Sequence, residues 1–350
     1  MKTRHLLLAV GLAAVWGFNF VVMEAGLRHF PPLLFVTLRF ALAAFPALLF
    51  AGGPGVPWRR VLAAGATLGV AQYSLLLLGM RAGMPAGLTS IVIQAQPVFT
   101  VVLAVFLLKE QITARRIAGL GVAFAGLVLI GVDLGGEGGP VGAFLLVVGG
   151  AFGWGLGNIA VRKAAPPSSL RFMIWLSAVA AVPMFGLSLL VEGVPQVRLS
   201  TEGVLAVLYV ALLATLGGFG VWGFLLKRYD ASVVAPYSML VPVFGMSSAF
   251  LVTGEPISLM KLAAAVLIIS GVLYAGARPR RRAVPGEASD GVSARTSDGV
   301  SGETSDGAPG RASGRTSGGA GGRGGDRPRA GSTAPAGGSR YGPAVIADCP

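Results

Sequence analysis

The chain has 350 residues, of which 54% are hydrophobic and only 12% charged, with a formal net charge of +13. Soluble domains carry about twice that share of charged residues, so lipid is the solvent for most of this chain and a soluble globular class is excluded. The basic excess lies in short connections and in a polar tail, which leaves no basic face to grip nucleic acid. One cysteine (Cys349) and two histidines (His5, His29) make neither an intrachain disulfide nor a metal cluster.

At the N-terminus, Lys2 and Arg4 precede an apolar stretch in the manner of a signal peptide. The apolar run continues through Trp16-Gly17-Phe18-Asn19 to Val22, and more such runs follow, so it is expected to be retained as a first span. A span needs about 20 mostly apolar residues. Ten segments meet or nearly meet that length: Leu6–Met23, Leu33–Ala51, Val61–Met80, Ala86–Leu108, Ala114–Val132, Val141–Val161, Leu170–Val191, Gly203–Leu226, Ala231–Thr253 and Leu259–Ala277. The runs are continuous rather than alternating, which indicates helices and not barrel strands. The expected fold class is therefore an all-α membrane protein of ten transmembrane helices.

Lysine and arginine placement gives an orientation. With the N-terminus inside, Lys2, Arg4, Arg59, Arg60, Lys109, Arg115, Arg116, Arg162, Lys163, Arg171, Lys227, Arg228, Arg278, Arg280, Arg281 and Arg282 lie on the cytoplasmic side. Only Arg28, Arg81, Arg198 and Lys261 lie outside. Both termini are thus expected in the cytoplasm of a multi-pass protein of the inner membrane.

One stretch occurs twice, 145 residues apart: Ala86–Gly126 and Ala231–Gly271. Pro97-Val98-Phe99 falls on Pro242-Val243-Phe244, and Glu110 falls on Glu255. Each copy is an apolar helix with a central proline, a glutamate at its end and a second apolar helix. Five spans per half is an odd number, so the second half enters the membrane from the opposite side. The expected organisation is a first five-helix repeat over 1–135, an inverted five-helix repeat over 136–277 and a tail over 278–350. Inverted halves around one midplane site are a common pattern of secondary transporters, because exchanging their conformations exchanges which side is open. The tail is Gly, Ser, Arg, Asp and Pro with an eight-residue echo at Ser289, Ser297 and Ser305, too poor in apolar residues for a core, and is expected to be disordered.

Polar side chains inside lipid are either helix glue or part of a permeation path. Gln94 and Gln96 flank the middle of the fourth span beside Pro97, which cannot donate to the carbonyl of Ile93 and kinks the helix. Two residues apart, they sit about 200° around a helix and cannot both face one cavity squarely. Beside Pro242 the matching region offers Tyr237 and Ser238. The first and sixth spans carry Trp16 with Asn19 and Trp154 with Asn158, each tryptophan deep in its span, as cavity wall or as packing. Arg39 lies about 10 Å into the second span. It is placed to attract a substrate carboxylate, to pair with Glu24, or to snorkel to the surface. Gln72 and Tyr73 are further candidates. The sequence contains no phosphate-cradling loop, catalytic triad or metal spacing, so no enzyme activity and no cofactor is expected.

At WGFNFVV (Trp16–Val22), PPLLFVTLRFALAAFPA (Pro31–Ala47), MPAGLTSIVIQAQ (Met84–Gln96), GNI (Gly157–Ile159), APYSMLVPVFG (Ala235–Gly245) and GEPIS (Gly254–Ser258), the chain resembles the EamA-type branch of the drug/metabolite transporter superfamily. Within that branch it is most similar to bacterial exporters of O-acetylserine and cysteine. The resemblance spans Leu6 to Ala277 and implies ten helices in two inverted halves. It also implies export of cysteine-pathway metabolites and related small amino acids from a central cavity. The family often has a lysine where this chain has Glu24, which reverses the local charge beside Arg39.

The leading reading is a permease whose cavity is lined by Trp16, Asn19, Arg39, Gln72, Gln94, Gln96, Trp154, Asn158 and Tyr237, with Pro97 and Pro242 as hinges. Its partners are a small-molecule solute and membrane lipids, and association as a homodimer stays open. Two other readings stand beside it. Efflux of hydrophobic cations requires an essential carboxylate, for which Glu24 is the candidate. A membrane scaffold or sensor would signal through the tail.

Overall fold

In lipid the backbone must satisfy its own hydrogen bonds, and each apolar run does so by closing into a helix. The computed structural model describes residues 1–136, 140–194, 197 and 200–276. Among them ten helices are long and apolar enough to cross a membrane. They are α1 (Thr3–Leu27), α2 (Pro32–Ala51), α3 (Trp58–Arg81), α4 (Ala86–Leu108), α5 (Ala114–Gly135), α6 (Val141–Ala164), α7 (Ser169–Glu192), α8 (Thr201–Arg228), α9 (Pro236–Thr253) and α10 (Leu259–Gly276). They form the two inverted five-helix repeats, α1–α5 and α6–α10. Arg198 and everything from 277 onward, including the tail expected to be disordered over 278–350, lie outside the described residues.

The breaks follow local chemistry. Pro32 opens α2, where a missing N–H costs nothing, and Gly52 closes it at φ 63°. Ser168 and Ser200 cap α7 and α8, their hydroxyls accepting from the N–H groups of Arg171 and Gly203. Lys109 ends α4 at φ 56° and Gly254 ends α9 at φ 70°, so the two repeats stop these helices by the same left-handed backbone conformation at the same place.

The internal irregularities repeat as well. α3 widens to a π-helix over Gly65–Ala71 and α8 over Tyr209–Gly217. α4 tightens to a 3₁₀ turn at Ile93–Ala95, and the chain does the same over Ala235–Leu240, which includes the start of α9. Pro97 and Pro242 stand in the first turn of the α-helix that follows each 3₁₀ stretch, where the absent donor is least missed.

The halves interlock rather than stand side by side. α1 packs on α9 and α8, and α6 packs on α4 and α3. α2 lies on α7 and α8, α7 lies on α2 and α3, and α4 meets α9 and α5 meets α10. Exchanging one half for the other turns each of these pairs into itself or into another of the set. Two glycines permit close crossings at matched places in the two halves. A Cβ at Gly17 would stand 2.5 Å from Cβ of Phe244 and 2.7 Å from the carbonyl oxygen of Val241. A Cβ at Gly155 would stand 2.9 Å from Cβ of Phe99 and 3.1 Å from the amide nitrogen of Thr100. Phe99 and Phe244 are repeat mates, so α1–α9 and α6–α4 are one contact built twice.

Two carboxylates of the second half close helix starts of the first. Glu192, at the end of α7, accepts from the N–H groups of Leu33 (2.7 Å) and Leu34 (3.1 Å), and from the hydroxyl of Ser188 (2.8 Å). Glu255, just past α9, accepts from the N–H of Gly87 (2.8 Å) and from Lys261 Nζ (3.3 Å). The free N–H groups and positive dipole end of a helix favour an anion there. Losing such a cap costs about 0.5–2 kcal/mol. Glu192→Ala is therefore expected to lower the melting temperature of the detergent-solubilised protein by several degrees, and an unchanged melt would remove this role.

Candidate functional site

Between the halves lies a cavity of two connected lobes, which share Arg39, Gln72, Tyr73, Trp154 and Phe219. The wider lobe spans about 670 Å³ of atom-free space, open solvent included, and runs to Pro166 and Ser169 at the α6–α7 connection, past Asn158, Phe172 and Thr215. The deeper lobe spans about 480 Å³ on the same measure and is lined by Trp16, Asn19, Phe20, Met23, Ile93, Gln94 and Val241.

Arg39 is the charge at the junction of the lobes, and it is only 3% exposed. Nε donates to the hydroxyl of Thr215 (3.0 Å) and Nη2 to the hydroxyl of Tyr73 (2.8 Å). The guanidinium lies 4.1 Å from the centre of the Tyr73 ring, a stacking that suits a delocalised cation. Nη1 has no hydrogen-bond partner. No Asp or Glu among the described residues pairs with Arg39. Glu24 instead pairs with Arg28 one turn on, at 3.6 Å, so neither the Arg39–Glu24 pair nor snorkelling to the surface is what the fold adopts.

The π stretch of α8 makes this possible. Thr215 donates its hydroxyl proton to the carbonyl of Val210, five residues back (2.7 Å), which leaves its oxygen free to accept from Arg39. The carbonyl of Ala214, in the same stretch, accepts from the indole N–H of Trp16 (2.9 Å). Trp16 is thereby fixed as wall, with its ring against Phe219 and Trp222.

The two glutamines part company, as their spacing demands. Gln94 turns into the deeper lobe, 1% exposed, with both amide atoms unpartnered. Gln96 turns toward α6, where its Oε1 accepts from Asn158 Nδ2 (2.7 Å). That amide also reaches the hydroxyl of Thr100 (3.1 Å), which donates to the backbone carbonyl of Gln96 (2.9 Å). Gln96 is thus a helix-to-helix tie, and it lines neither lobe. Asn158 lines the wider lobe, Asn19 and Trp16 the deeper one, and Gln72 and Trp154 line both. Tyr237 is half-buried and lines neither.

Sequence reasoning passed over Thr215 and Phe219. A hydroxyl in the middle of the apolar run before Gly217-Gly218 was the available signal for the first. Nothing in the sequence separates Phe219 from a packing residue. Among the described residues no group of three or more His, Cys, Asp or Glu gathers to hold a metal ion.

The model of the EamA-like transporter family matches this chain twice, at residues 3–132 and 141–276. A Salmonella typhimurium protein named probable amino-acid metabolite efflux pump is 40% identical over 295 residues, covering 81% of this chain and 99% of that protein. An Escherichia coli K12 protein of the same name is 38% identical over 282 residues, 78% of this chain and 94% of its own. A solved structure with 21% sequence identity superposes with a TM-score of 0.56, over 79% of this chain and 97% of that one, and shares the fold.

Proposed function

This chain belongs to the EamA-like transporter family, and we propose that it exports small amino-acid-like metabolites, cysteine and O-acetylserine among them, across the cytoplasmic membrane by alternating access. Both termini face the cytoplasm in this reading, which the lysine and arginine placement supports. The wider lobe then reaches the cytoplasmic side at the α6–α7 connection, while Phe20 and Met23 line the lobe on the other side of Arg39. The solute enters from inside, and exchange of conformations between the interlocked halves releases it outside.

The observation that carries the proposal is the buried Arg39 guanidinium, which lines both lobes with no carboxylate beside it. A buried cation without a carboxylate beside it attracts a solute that brings its own carboxylate and repels a cationic drug. The names of the relatives point the same way. The reading in which a hydrophobic cation is expelled finds no carboxylate among the residues lining either lobe.

Inside-out vesicles from an overexpressing strain, given labelled cysteine, labelled O-acetylserine and a cationic dye in parallel, provide the test. Saturable uptake of the amino acids with the dye left outside is expected. Uptake of the dye alone would overturn the reading.

A further inference from the structure

The two halves offer the same asparagine in different company. Asn158 on α6 and Asn19 on α1 each follow a Trp-Gly pair deep in the first helix of their repeat. Asn158 is engaged by Gln96 and Thr100 of α4. Moving 145 residues along, from α4 to α9, replaces those partners by Val241 and Gly245, whose side chains have no polar atom. Asn19 Oδ1 is accordingly buried without a hydrogen-bond partner.

It is not alone. Gln94 Oε1, Gln94 Nε2 and Arg39 Nη1 are also buried and unpartnered, and Asn19, Gln94 and Arg39 all line the deeper lobe. Since both atoms of the Gln94 amide are free, its two possible orientations leave the same donor and acceptor. Buried polar groups are nearly always satisfied, and a cluster that is not calls for the molecule that satisfies it. The set contains a cationic donor, two amide oxygens that accept, and an amide donor.

We infer that these three side chains form the recognition site for an α-amino acid zwitterion. Arg39 Nη1 donates to the carboxylate, and Asn19 Oδ1 and Gln94 Oε1 accept from the ammonium. Because only neutral oxygens hold the ammonium, its charge is balanced by the solute's own carboxylate. A solute whose carboxylate is masked brings an uncompensated cation to Arg39 and is refused. A solute whose amine is acylated keeps a single N–H and no positive charge, too little to satisfy Asn19 Oδ1 and Gln94 Oε1 together. The inference rests on the proposed export of amino-acid-like metabolites and assigns the ends of the solute within that cavity.

The test is competition in the same vesicles. Uptake of labelled O-acetylserine is challenged with unlabelled serine, serine methyl ester and N-acetylserine. Serine is expected to compete at least tenfold better than either masked form. In Arg39→Gln the preference over the ester should vanish, and in Asn19→Ala the preference over the N-acetyl form should vanish, with overall flux reduced in both. An ester that competes as well as serine in the wild-type protein overturns the inference even if both variants fail to fold. So does an undiminished preference over the N-acetyl form in folded Asn19→Ala. Absence of any labelled uptake in the wild type would instead remove the proposed function on which the inference stands.

Discussion

Leucine in place of Gly17 or of Gly155 is expected to cut the yield of folded protein at least tenfold. At both positions the first added carbon meets the Cβ or backbone of a facing helix within about 3 Å: Phe244 and Val241 for Gly17, Phe99 and Thr100 for Gly155. Backbone cannot swing aside as a flexible side chain can, so the crossing must open along its whole length. Overpacking of a tight core typically costs about 1–3 kcal/mol, and here the helix axes themselves must part. Gly142→Leu is the control, since a Cβ there meets nothing within 4 Å and the residue is exposed. Size-exclusion profiles of fluorescent fusions measure the outcome. Monodisperse peaks of wild-type height for both Gly17→Leu and Gly155→Leu would contradict the packing described here.

The second large effect separates Gln94 from Gln96. On chemistry alone the pair reads as one site, with loss of export expected from leucine at either, although the spacing turns the two side chains apart. The geometry instead gives two modes of failure. Gln94→Leu removes an amide that bonds to nothing in the protein and is expected to reduce transport at least tenfold while the melting temperature holds or rises. Gln96→Leu strips Asn158 of its nearest acceptor inside the membrane, at a cost of about 1–3 kcal/mol for the group left unsatisfied. It should lower the melting temperature and reduce transport chiefly through loss of folded protein. Equal melting temperatures in the two variants would show that the glutamines are not divided in this way.

How far the sequence reveals this molecule depends on the length scale of each feature. Span positions follow from runs of apolar residues, so Leu33–Ala51 and Ala86–Leu108 nearly coincide with α2 and α4. The proline and glutamate marks disclosed the repeat in α4–α5 and α9–α10. The π stretches of α3 and α8, GATLGVA and YVALLATLG, share only Ala-Thr-Leu-Gly and contain no proline, too weak a signal to mark a π-helix. Only packing against the other half reveals them. The same holds for Arg39. Its depth in the span was readable, but Thr215 lies 176 residues away and is brought to it only by the crossing of α2 and α8. Helical periodicity told that Gln94 and Gln96 diverge, though not which of them would meet α6.

The interlocking of the halves also sets an order for biosynthesis. When the ribosome has delivered the first five helices to the membrane, α1 still lacks α8 and α9, the neighbours that cover most of it. Arg39 has Tyr73 within its own half but must wait in the bilayer for Thr215. The nascent protein therefore holds a half-satisfied guanidinium and an unfilled notch at Gly17 until most of the chain has been translated. Assembly is a late, concerted closure rather than the docking of two finished parts, and truncated chains ending after α5 should be cleared by membrane proteases instead of accumulating.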